Sequence, residues 1–310
     1  MFVPPTPENG STLDFFTNNT IPVNVSVAGT GLHSVFLDWS NSLVGWWNFD
    51  FYNSTVVYDN STYANNATFT GSNFGVQNIT SGTRGSKIQF GGNLTGNGWY
   101  LNAGNKPSMQ VTGNQTIAMW LYPTNLATRR NAWGKAYGGE GTMTQETNGA
   151  LTYYWGVSGG NNGTGGIQFQ TFTSSFLLLP NSWAHVAVVR TISPNATQNG
   201  TIQWFYNGAL AKTNYASFSQ AVASPLNMKI GQAYVNSYTG GIDEVLYFNR
   251  SLTQQELLAL YDAQANRYSR NFTALPQGDY YFRAWEINTT GIVNSTGLRK
   301  VTISSLGQED

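Results

Sequence analysis

The sequence predicts an all-β protein that consists of two β-sandwiches and one short surface helix. Segments in which apolar and polar residues alternate recur along the 310 residues, and turns rich in Gly, Asn and Ser separate them. A single segment near the C-terminal end instead places its apolar residues at helical spacing. The length is sufficient for two domains with sizeable cores.

The clearest alternation predicts six strands, at residues 21–27, 34–39, 116–122, 184–190, 202–206 and 280–287. Asn207-Gly208 follows the fifth strand and predicts a tight hairpin, because such turns need residues that tolerate positive φ. Gly240-Gly241 lets the backbone turn into a later strand without a Cβ clash.

The predicted helix follows Ser251, which we expect to cap its N-terminus. Gln254 stands three residues later and completes a capping box. Leu257, Leu258 and Tyr261 form one apolar stripe at helical spacing. The pattern indicates a single helix docked on a β protein.

The two ends of the chain, residues 1–43 and 269–310, each contain too few strands to close a sandwich. Pro276, Gly278 and Tyr280 form a Pro-x-Gly-x-Tyr turn, and this stretch resembles the penultimate strand of immunoglobulin-like surface modules. The resemblance implies one immunoglobulin-like domain split by an insertion at residues 44–268, since the termini of an inserted domain usually lie close together. The alternative is three independent units in a row.

The inserted segment contains several blocks that occur in a fixed order. They read Leu-Val-Gly-Trp-Trp-Asn-Phe at 43–49, Thr-Ile-Ala-Met-Trp-Leu-Tyr-Pro at 116–123, Ser-Trp-Ala-His-Val at 182–186, and Gly-Gly-Ile-Asp-Glu-Val at 240–245 before Asn-Arg-Ser-Leu at 249–252. In order and spacing they resemble the laminin-G-like, concanavalin-A-like jelly roll over about residues 44–265. The resemblance implies two stacked antiparallel sheets of six or seven strands each.

Composition excludes several classes of function. Charged residues make up 10% of the chain and the net charge is zero, so the chain lacks the basic surface that attracts nucleic acid. The absence of cysteine excludes a disulfide framework and a thiol nucleophile, and two histidines are too few for a multi-histidine zinc site. No apolar run is long enough to span a bilayer.

The acidic residues do not predict catalysis. Asp243 and Glu244 are adjacent in a predicted strand, so they point to opposite sheet faces and cannot act as a pair. Glu140 and Glu146 lie in and near a Gly-rich loop, where we expect them to be solvated. His185 occupies the position of a structural strand histidine in the family that the chain resembles. We therefore expect the protein not to be an enzyme.

Calcium is the one metal that the resemblance implies, because laminin-G-like domains often hold Ca²⁺ near a sheet rim through oxygen ligands. Asp243, Asp50 and Asn48 are the candidate ligands. The alternative is that Asp243 caps the turn after Gly241. The chain departs from the family pattern where Phe90 is followed by Gly91-Gly92-Asn93 rather than by an acid. No other cofactor is expected.

Asparagine and threonine are unusually frequent, and Asn-x-Ser/Thr sequons occur 16 times, against about 6 expected by chance. We interpret the chain as a secreted, N-glycosylated cell-surface protein. Its glycans would supply the surface hydration that charged residues usually supply. An archaeal source would suit a glycosylated protein without cysteine. No leader peptide is recognisable before Pro4, so a leader would have to be a segment removed from this sequence. The sequons are Asn9, Asn18, Asn24, Asn53, Asn60, Asn66, Asn78, Asn93, Asn114, Asn162, Asn195, Asn199, Asn249, Asn271, Asn288 and Asn294.

Three functions remain open at this point. The first is a structural subunit of a cell-surface layer or extracellular filament, in which Met1, Phe2 and Val3 add to a sheet edge of a neighbouring copy. The second is a glycan-binding adhesin, and the third, a glycoside hydrolase, lacks an acid pair. The aromatic candidates for glycan contact are Trp99, Tyr100, Trp133, Tyr137, Tyr153, Tyr154 and Trp155, although most tryptophans of such a sandwich belong to the core.

Overall fold

The computed structural model describes residues 1–27, 32–50, 52–71, 78–79, 87–90, 98, 100–135, 140–156, 169–192, 200–216, 223–262, 267–288 and 293–305. The chain divides into two compact units. The first unit contains residues 1–42 and 255–310, and the second contains residues 43–254. The described residues are mostly strand and include one α-helix, which confirms the all-β prediction.

The helical segments are a 3₁₀ turn at Pro107–Met109 and the helix α1 at Gln254–Asp262. In chain order the strands are β1 Phe2–Val3, β2 Ser11–Asp14, β3 Ile21–Ser26, β4 Leu32–Trp39, β5 Leu43–Trp47, β6 Val56–Val57, β7 Ala67–Thr70, β8 Asn78–Ile79, β9 Lys87–Phe90, β10 Tyr100–Gly104, β11 Gln115–Pro123, β12 Arg130–Gly134, β13 Thr142–Gln145, β14 Leu151–Gly156, β15 Phe169–Thr173, β16 Ala184–Thr191, β17 Gly200–Tyr206, β18 Ala209–Ala216, β19 Met228–Ile230, β20 Asn236–Ser237, β21 Gly240–Phe248, β22 Arg267–Phe272, β23 Gly278–Asn288, β24 Val293–Ser295 and β25 Arg299–Ser304.

The first unit is built from strands of both chain ends. One sheet has the order β1-β3-β22, and the other has the order β2-β25-β23-β24 with β4 also paired to β23. Ile21 lies opposite Phe272 in the first sheet, and β2 runs parallel to β25 in the second. Trp39 lies in the core, where its ring meets that of Phe272 edge-on at 4.8 Å between centroids. The immunoglobulin-like assignment of this unit stays a prediction.

The N-terminal segment pairs within its own chain. Phe2 lies opposite Val25, and the Met1 amino group donates a hydrogen bond to the Ser26 carbonyl oxygen at 2.7 Å. The Phe2 ring packs edge-on against Phe282 at 5.4 Å. Met1, Phe2 and Val3 would therefore have to leave this strand before they could add to a neighbouring copy.

The helix begins later than its predicted cap. Because α1 starts at Gln254, the residue at its N-cap position is Thr253, and Ser251 lies outside the helix. The Ser251 hydroxyl instead donates to the Arg190 carbonyl oxygen at 2.8 Å. Ala259 belongs to the core of the first unit, so the structural boundary falls at residue 254 rather than at the predicted residue 268.

The second unit contains two large sheets. One has nine strands in the order β15-β14-β13-β12-β19-β10-β7-β6, with β20 paired to β12. The other has eight strands in the order β18-β17-β16-β11-β21-β9-β8, with β5 paired to β21. The two sheets have more strands than the expected six or seven because their strand counts include β6, β8 and β20, which are only two residues long.

The core of the second unit takes residues from both sheets. The fully buried rings of Trp133 and Trp155 come from the nine-stranded sheet, and that of Trp204 comes from the eight-stranded sheet. At the predicted hairpin between β17 and β18, Asn207 has φ +49° and Gly208 has φ +77°. The Asn207 side-chain oxygen also accepts a hydrogen bond from the His185 backbone N–H at 3.0 Å, which ties the turn to β16.

Candidate functional site

A groove lies on the face of the nine-stranded sheet that points away from the core. In β14, Tyr153 and Trp155 point into the core, so the alternating Thr152 and Tyr154 face outward. The groove has a volume of about 440 Å³, and we call it the outer-face groove. Its lining residues are Arg129, Glu146, Thr147, Asn148, Ala150, Thr152, Tyr154, Thr171 and Thr173.

Hydroxyl groups dominate this lining. Thr152 lies opposite Thr173 across the β14–β15 pair, with their hydroxyl oxygens 3.2 Å apart, and Tyr154 lies opposite Thr171. Asn148 accepts a hydrogen bond from the Ala150 N–H through its side-chain oxygen at 3.0 Å, so its NH₂ group remains a donor. Such a surface offers both donors and acceptors to a ligand that carries hydroxyl groups.

Arg129 and Glu146 form a two-point ion pair in the groove. The Arg129 Nε donates to Glu146 Oε2 at 2.7 Å, and Nη2 donates to Oε1 at 3.2 Å. Arg129 Nη2 also donates to the Tyr154 hydroxyl at 2.5 Å. The hydrogen bond with Glu146 raises the pKa of Arg129 further above its ordinary value. Glu146 stays partly exposed, and its carboxylate in addition holds the Arg129 guanidinium, a role that its sequence neighbourhood did not predict.

Two aromatic rings hold Tyr154 in place. Its ring centroid lies 5.5 Å from that of Tyr234 in an edge-on arrangement and 5.7 Å from that of Phe169. The Tyr234 hydroxyl lies 3.3 Å from that of Thr144, and burial raises the pKa of Tyr234. With 7% of its surface exposed, Tyr154 forms a wall of the groove rather than an open stacking platform.

The structure distinguishes among the other aromatic candidates. Trp133, Tyr153 and Trp155 are fully buried in the core and face no ligand. Tyr100 is half-buried, with the Lys229 ammonium 4.4 Å from its ring centroid. Trp99 and Tyr137 lie outside the described residues.

Glu140 is not solvated, contrary to the prediction. Its side chain is fully buried and forms an ion pair with Lys135, while Oε2 accepts a hydrogen bond from the Ser224 N–H at 2.8 Å. The Arg190 guanidinium donates to the Glu140 backbone carbonyl oxygen at 2.5 Å. The carboxylate thus has a structural role that its Gly-rich sequence neighbourhood conceals.

The adjacent acids of β21 are also buried. The register with β11 shifts between Asp243 and Leu246, and Glu244 within this shift has φ +49°. Its Oε2 accepts a hydrogen bond from the Trp46 indole N–H at 2.7 Å. His185 is 2% exposed and lies edge-on to the Trp120 ring at 5.3 Å. These contacts give Glu244 and His185 packing roles.

The calcium candidates are only partly brought together. The Asn48 side-chain NH₂ donates to Asp50 Oδ2 at 3.3 Å, and its oxygen accepts from the Asn60 side chain at 2.8 Å. Asp243 is buried. Nowhere in the described ranges do three or more His, Cys, Asp or Glu side chains gather closely enough to hold a metal ion. Because amide donors occupy these oxygens, the calcium site stays a prediction.

Asp59 has a structural role that was not predicted from the sequence. Its carboxylate accepts hydrogen bonds from the backbone N–H groups of Trp46, Ser61 and Asn65 at 2.7 to 2.8 Å. Burial raises the pKa of Asp59, and these hydrogen bonds oppose the rise. The Asp-x-Ser spacing, which is typical of a local side-chain turn, is the signal that could have indicated this role.

The sequons differ in exposure. Asn24 is 8% exposed; its side-chain NH₂ donates to the Pro4 carbonyl oxygen at 3.3 Å and its oxygen accepts from the Ser269 hydroxyl at 2.6 Å. Asn60 and Asn114 are half-buried. Asn78 and Asn288 lie in β8 and β23, and Asn93, Asn162, Asn195 and Asn199 lie outside the described residues. The exposed sequons are Asn9, Asn18, Asn53, Asn66, Asn249, Asn271 and Asn294.

Comparison with known families gives one match. A family profile described as the concanavalin A-like lectin/glucanases superfamily, Laminin_G_3, matches residues 94–258. A search of curated protein sequences found no match. Within the described part of the chain, no helix is both long enough and apolar enough to cross a membrane.

Solved structures share the fold at low identity. Domain 4 of the extracellular arabinanase AbnA from Geobacillus stearothermophilus, in complex with arabinotriose, is 17% identical over 71% of this chain and 98% of that chain, with a TM-score of 0.51. The binding domain of botulinum neurotoxin DC, in complex with rat synaptotagmin II, is 14% identical over 72% of this chain and 51% of that chain, with a TM-score of 0.52.

A third structure is of botulinum neurotoxin type C, whose cell entry depends on interaction with two ganglioside molecules. It is 15% identical over 72% of this chain and 51% of that chain, with a TM-score of 0.51. The chain thus spans about half the length of these toxin chains and nearly all of the arabinanase domain. The likeness confirms the predicted jelly-roll fold.

Proposed function

Because the chain belongs to the concanavalin A-like lectin/glucanases superfamily, we propose that it is a saccharide-binding protein whose ligand occupies the outer-face groove. The observation that carries this proposal is the lining of the groove, in which four threonines, an asparagine and a tyrosine surround an arginine–glutamate pair. Saccharides are recognised by such arrays of donors and acceptors. The arabinotriose complex of the arabinanase domain supports the same class of ligand.

The proposed activity is binding without catalysis. Hydrolysis of a glycosidic bond usually needs two carboxyl groups that face each other across the substrate. Glu146 is the one carboxylate among the residues that line the groove, and it is held by Arg129. Asp243 and Glu244 are buried on β21 and do not line it.

Blocking the groove should abolish binding. Thr171 is exposed and lines the groove, so Thr171→Trp fills the space with an indole at little cost in stability. We expect the affinity for a bound oligosaccharide, with arabinotriose and an oligosaccharide array as probes, to fall at least tenfold. Calorimetric titration measures the change.

Thr70→Trp is the matched control. Thr70 is half-buried on β7 and belongs to no sequon, and its neighbour Phe69 packs against the core, so Thr70 lies on the same outward face near the opposite end of the sheet. We expect its affinity to equal that of the wild type. Equal binding by the Thr171 variant, or equal loss in both variants, would contradict the groove assignment.

We further propose that the protein is extracellular and N-glycosylated, because exposed sequons occur on both units. Asn9 and Asn271 are examples in the first unit, and Asn53 and Asn249 are examples in the second. The finer role as a subunit of a surface layer or filament stays a prediction, and the pairing of β1 within its own chain gives it no support.

The mass of the native protein tests glycosylation. We expect a mass above that of the bare polypeptide, and glycopeptide mapping should find glycans at exposed sequons but an unmodified Asn24. A glycan on the Asn24 amide would displace its contact with Pro4 and the neighbouring β1 strand. A bare polypeptide mass in native material would contradict the proposal.

A further inference from the structure

The outer-face groove is electrically balanced. Arg129 and Glu146 are the two charged side chains among its lining residues, and they neutralise each other through two hydrogen bonds. A further cation, Lys212, contacts the backbone of a lining residue and donates to the Thr173 carbonyl oxygen at 2.8 Å. The hydroxyl and amide groups of the remaining lining carry no charge.

The geometry of the pair restricts what Arg129 can still bind. A guanidinium recognises a carboxylate most strongly through two parallel N–H donors, and Glu146 already occupies the Nε and Nη2 donors. Nη2 additionally donates to the Tyr154 hydroxyl. None of the hydrogen bonds between described residues uses Nη1, so its two N–H groups can donate to a neutral hydroxyl oxygen.

A ligand carboxylate in this groove would be repelled by the negative charge of Glu146. It would lie beside the Glu146 carboxylate and share one guanidinium with it, and like charges at such short range oppose each other. Rejection of a competing ligand by a repulsive group is a recognised source of specificity. A neutral saccharide suffers no such repulsion, and its hydroxyl groups can donate to the carboxylate oxygens.

We infer that the outer-face groove selects uncharged saccharides over their sialylated forms, and that Glu146 is the residue that imposes this selection. The inference rests on the proposed function and names the ligand class of the same groove. It distinguishes this chain from the ganglioside-dependent toxin that shares its fold, since gangliosides carry sialic acid carboxylates.

The test uses the full chain and an array of neutral oligosaccharides, each printed beside its sialylated form, with lactose and 3′-sialyllactose among them. We expect the wild type to bind neutral members at least tenfold more tightly than their sialylated forms. In Glu146→Gln the Arg129 charge is no longer neutralised, so we expect at least a tenfold gain for sialylated members and weaker binding of neutral ones.

Glu8→Gln is the matched control, because it removes the same charge from a side chain that is 90% exposed in the first unit. It should keep the wild-type ratio, and thermal melting should show that both variants are folded. In the double variant, Thr171→Trp should block the binding of sialylated members that Glu146→Gln gains.

Each contrary outcome points to a different error. A wild-type preference for sialylated members would overturn the selection while leaving saccharide binding intact. If Glu146→Gln keeps the wild-type ratio of neutral to sialylated binding, the role of Glu146 is overturned, but the selection itself is not. An array on which neither the wild type nor any variant binds would overturn the proposed function and the inference with it.

Discussion

Glu140→Gln should lower the free energy of unfolding by about 3–5 kcal/mol, the range observed when one partner of a buried ion pair is removed. Lys135 and Glu140 are both fully buried as side chains, so the variant leaves an ammonium without its counter-charge. The Gln side chain still offers an oxygen to the Ser224 N–H, but its NH₂ group then faces the Lys135 ammonium, so the variant removes the charge and the hydrogen bond to Lys135 together. Urea denaturation measures the loss.

The pH dependence of this variant gives a second measurement. Burial lowers the pKa of Lys135, and Glu140 opposes that effect, so the pKa should fall further in the variant. At a pH above the lowered pKa of the folded protein, Lys135 is protonated in the unfolded chain but not in the folded one. The free energy of unfolding therefore rises with pH until the pH reaches the ordinary lysine pKa. The deficit should therefore shrink in alkaline buffer.

Two controls accompany Glu140→Gln. The double variant Lys135→Met with Glu140→Gln removes the stranded cation and should recover most of the lost stability. Glu8→Gln, on an exposed side chain, should change stability by less than about 1 kcal/mol. A double variant as unstable as the single one would show that the charge of Lys135 does not cause the loss.

Gly240→Ala should destabilise the second unit by about 3 kcal/mol or more. Gly240 has φ +134°, and a Cβ atom there would lie 2.0 Å from the Tyr122 backbone carbonyl oxygen. The neighbouring strand β11 is paired to β21 at this point, with Pro123 opposite Gly240, so the backbone cannot move away cheaply. Strained backbone and overpacking each cost about 1–3 kcal/mol.

Gly104→Ala separates the two causes within the same unit. Gly104 has φ +80°, but a Cβ atom built there meets nothing within 4 Å. We expect a loss near about 1 kcal/mol from backbone strain alone. Equal losses in the two variants, measured by thermal and urea unfolding, would show that the Tyr122 contact is not what requires glycine at position 240.

Local sequence patterns predicted the strands well, because alternation and turn residues act within a few positions. Residues 116–122 lie inside β11, and Asn207-Gly208 forms the predicted hairpin. The cap at Ser251 was wrong because its hydroxyl is taken by the Arg190 carbonyl oxygen, 61 positions away. No local pattern carries that information.

The same limit applies to the site. Alternation in β14 predicts that Tyr154 faces opposite to Tyr153, and this is the part of the groove that sequence analysis could reach. Arg129 and Thr171 were missed because the groove exists only once β15 pairs with β14. Glu140 was misplaced because its burial depends on distant contacts, among them Ser224, which lies 84 positions further along the chain, although its ion-pair partner Lys135 is only five positions away.

The interleaving of both chain ends in the first unit imposes an order on biosynthesis. Strands β3 and β4 emerge from the ribosome early, whereas their partners β22 and β23 emerge after residue 266. At about 5–20 residues per second this interval is on the order of 10–50 s. Near the end of that interval, once residue 254 has emerged, the second unit has all its strands and can fold, while β2, β3 and β4 still lack their partners from the later part of the chain. A chaperone that shields this early segment would act before the protein is complete, and a nascent chain stalled before residue 267 would release a folded jelly roll with an unfolded N-terminal tail.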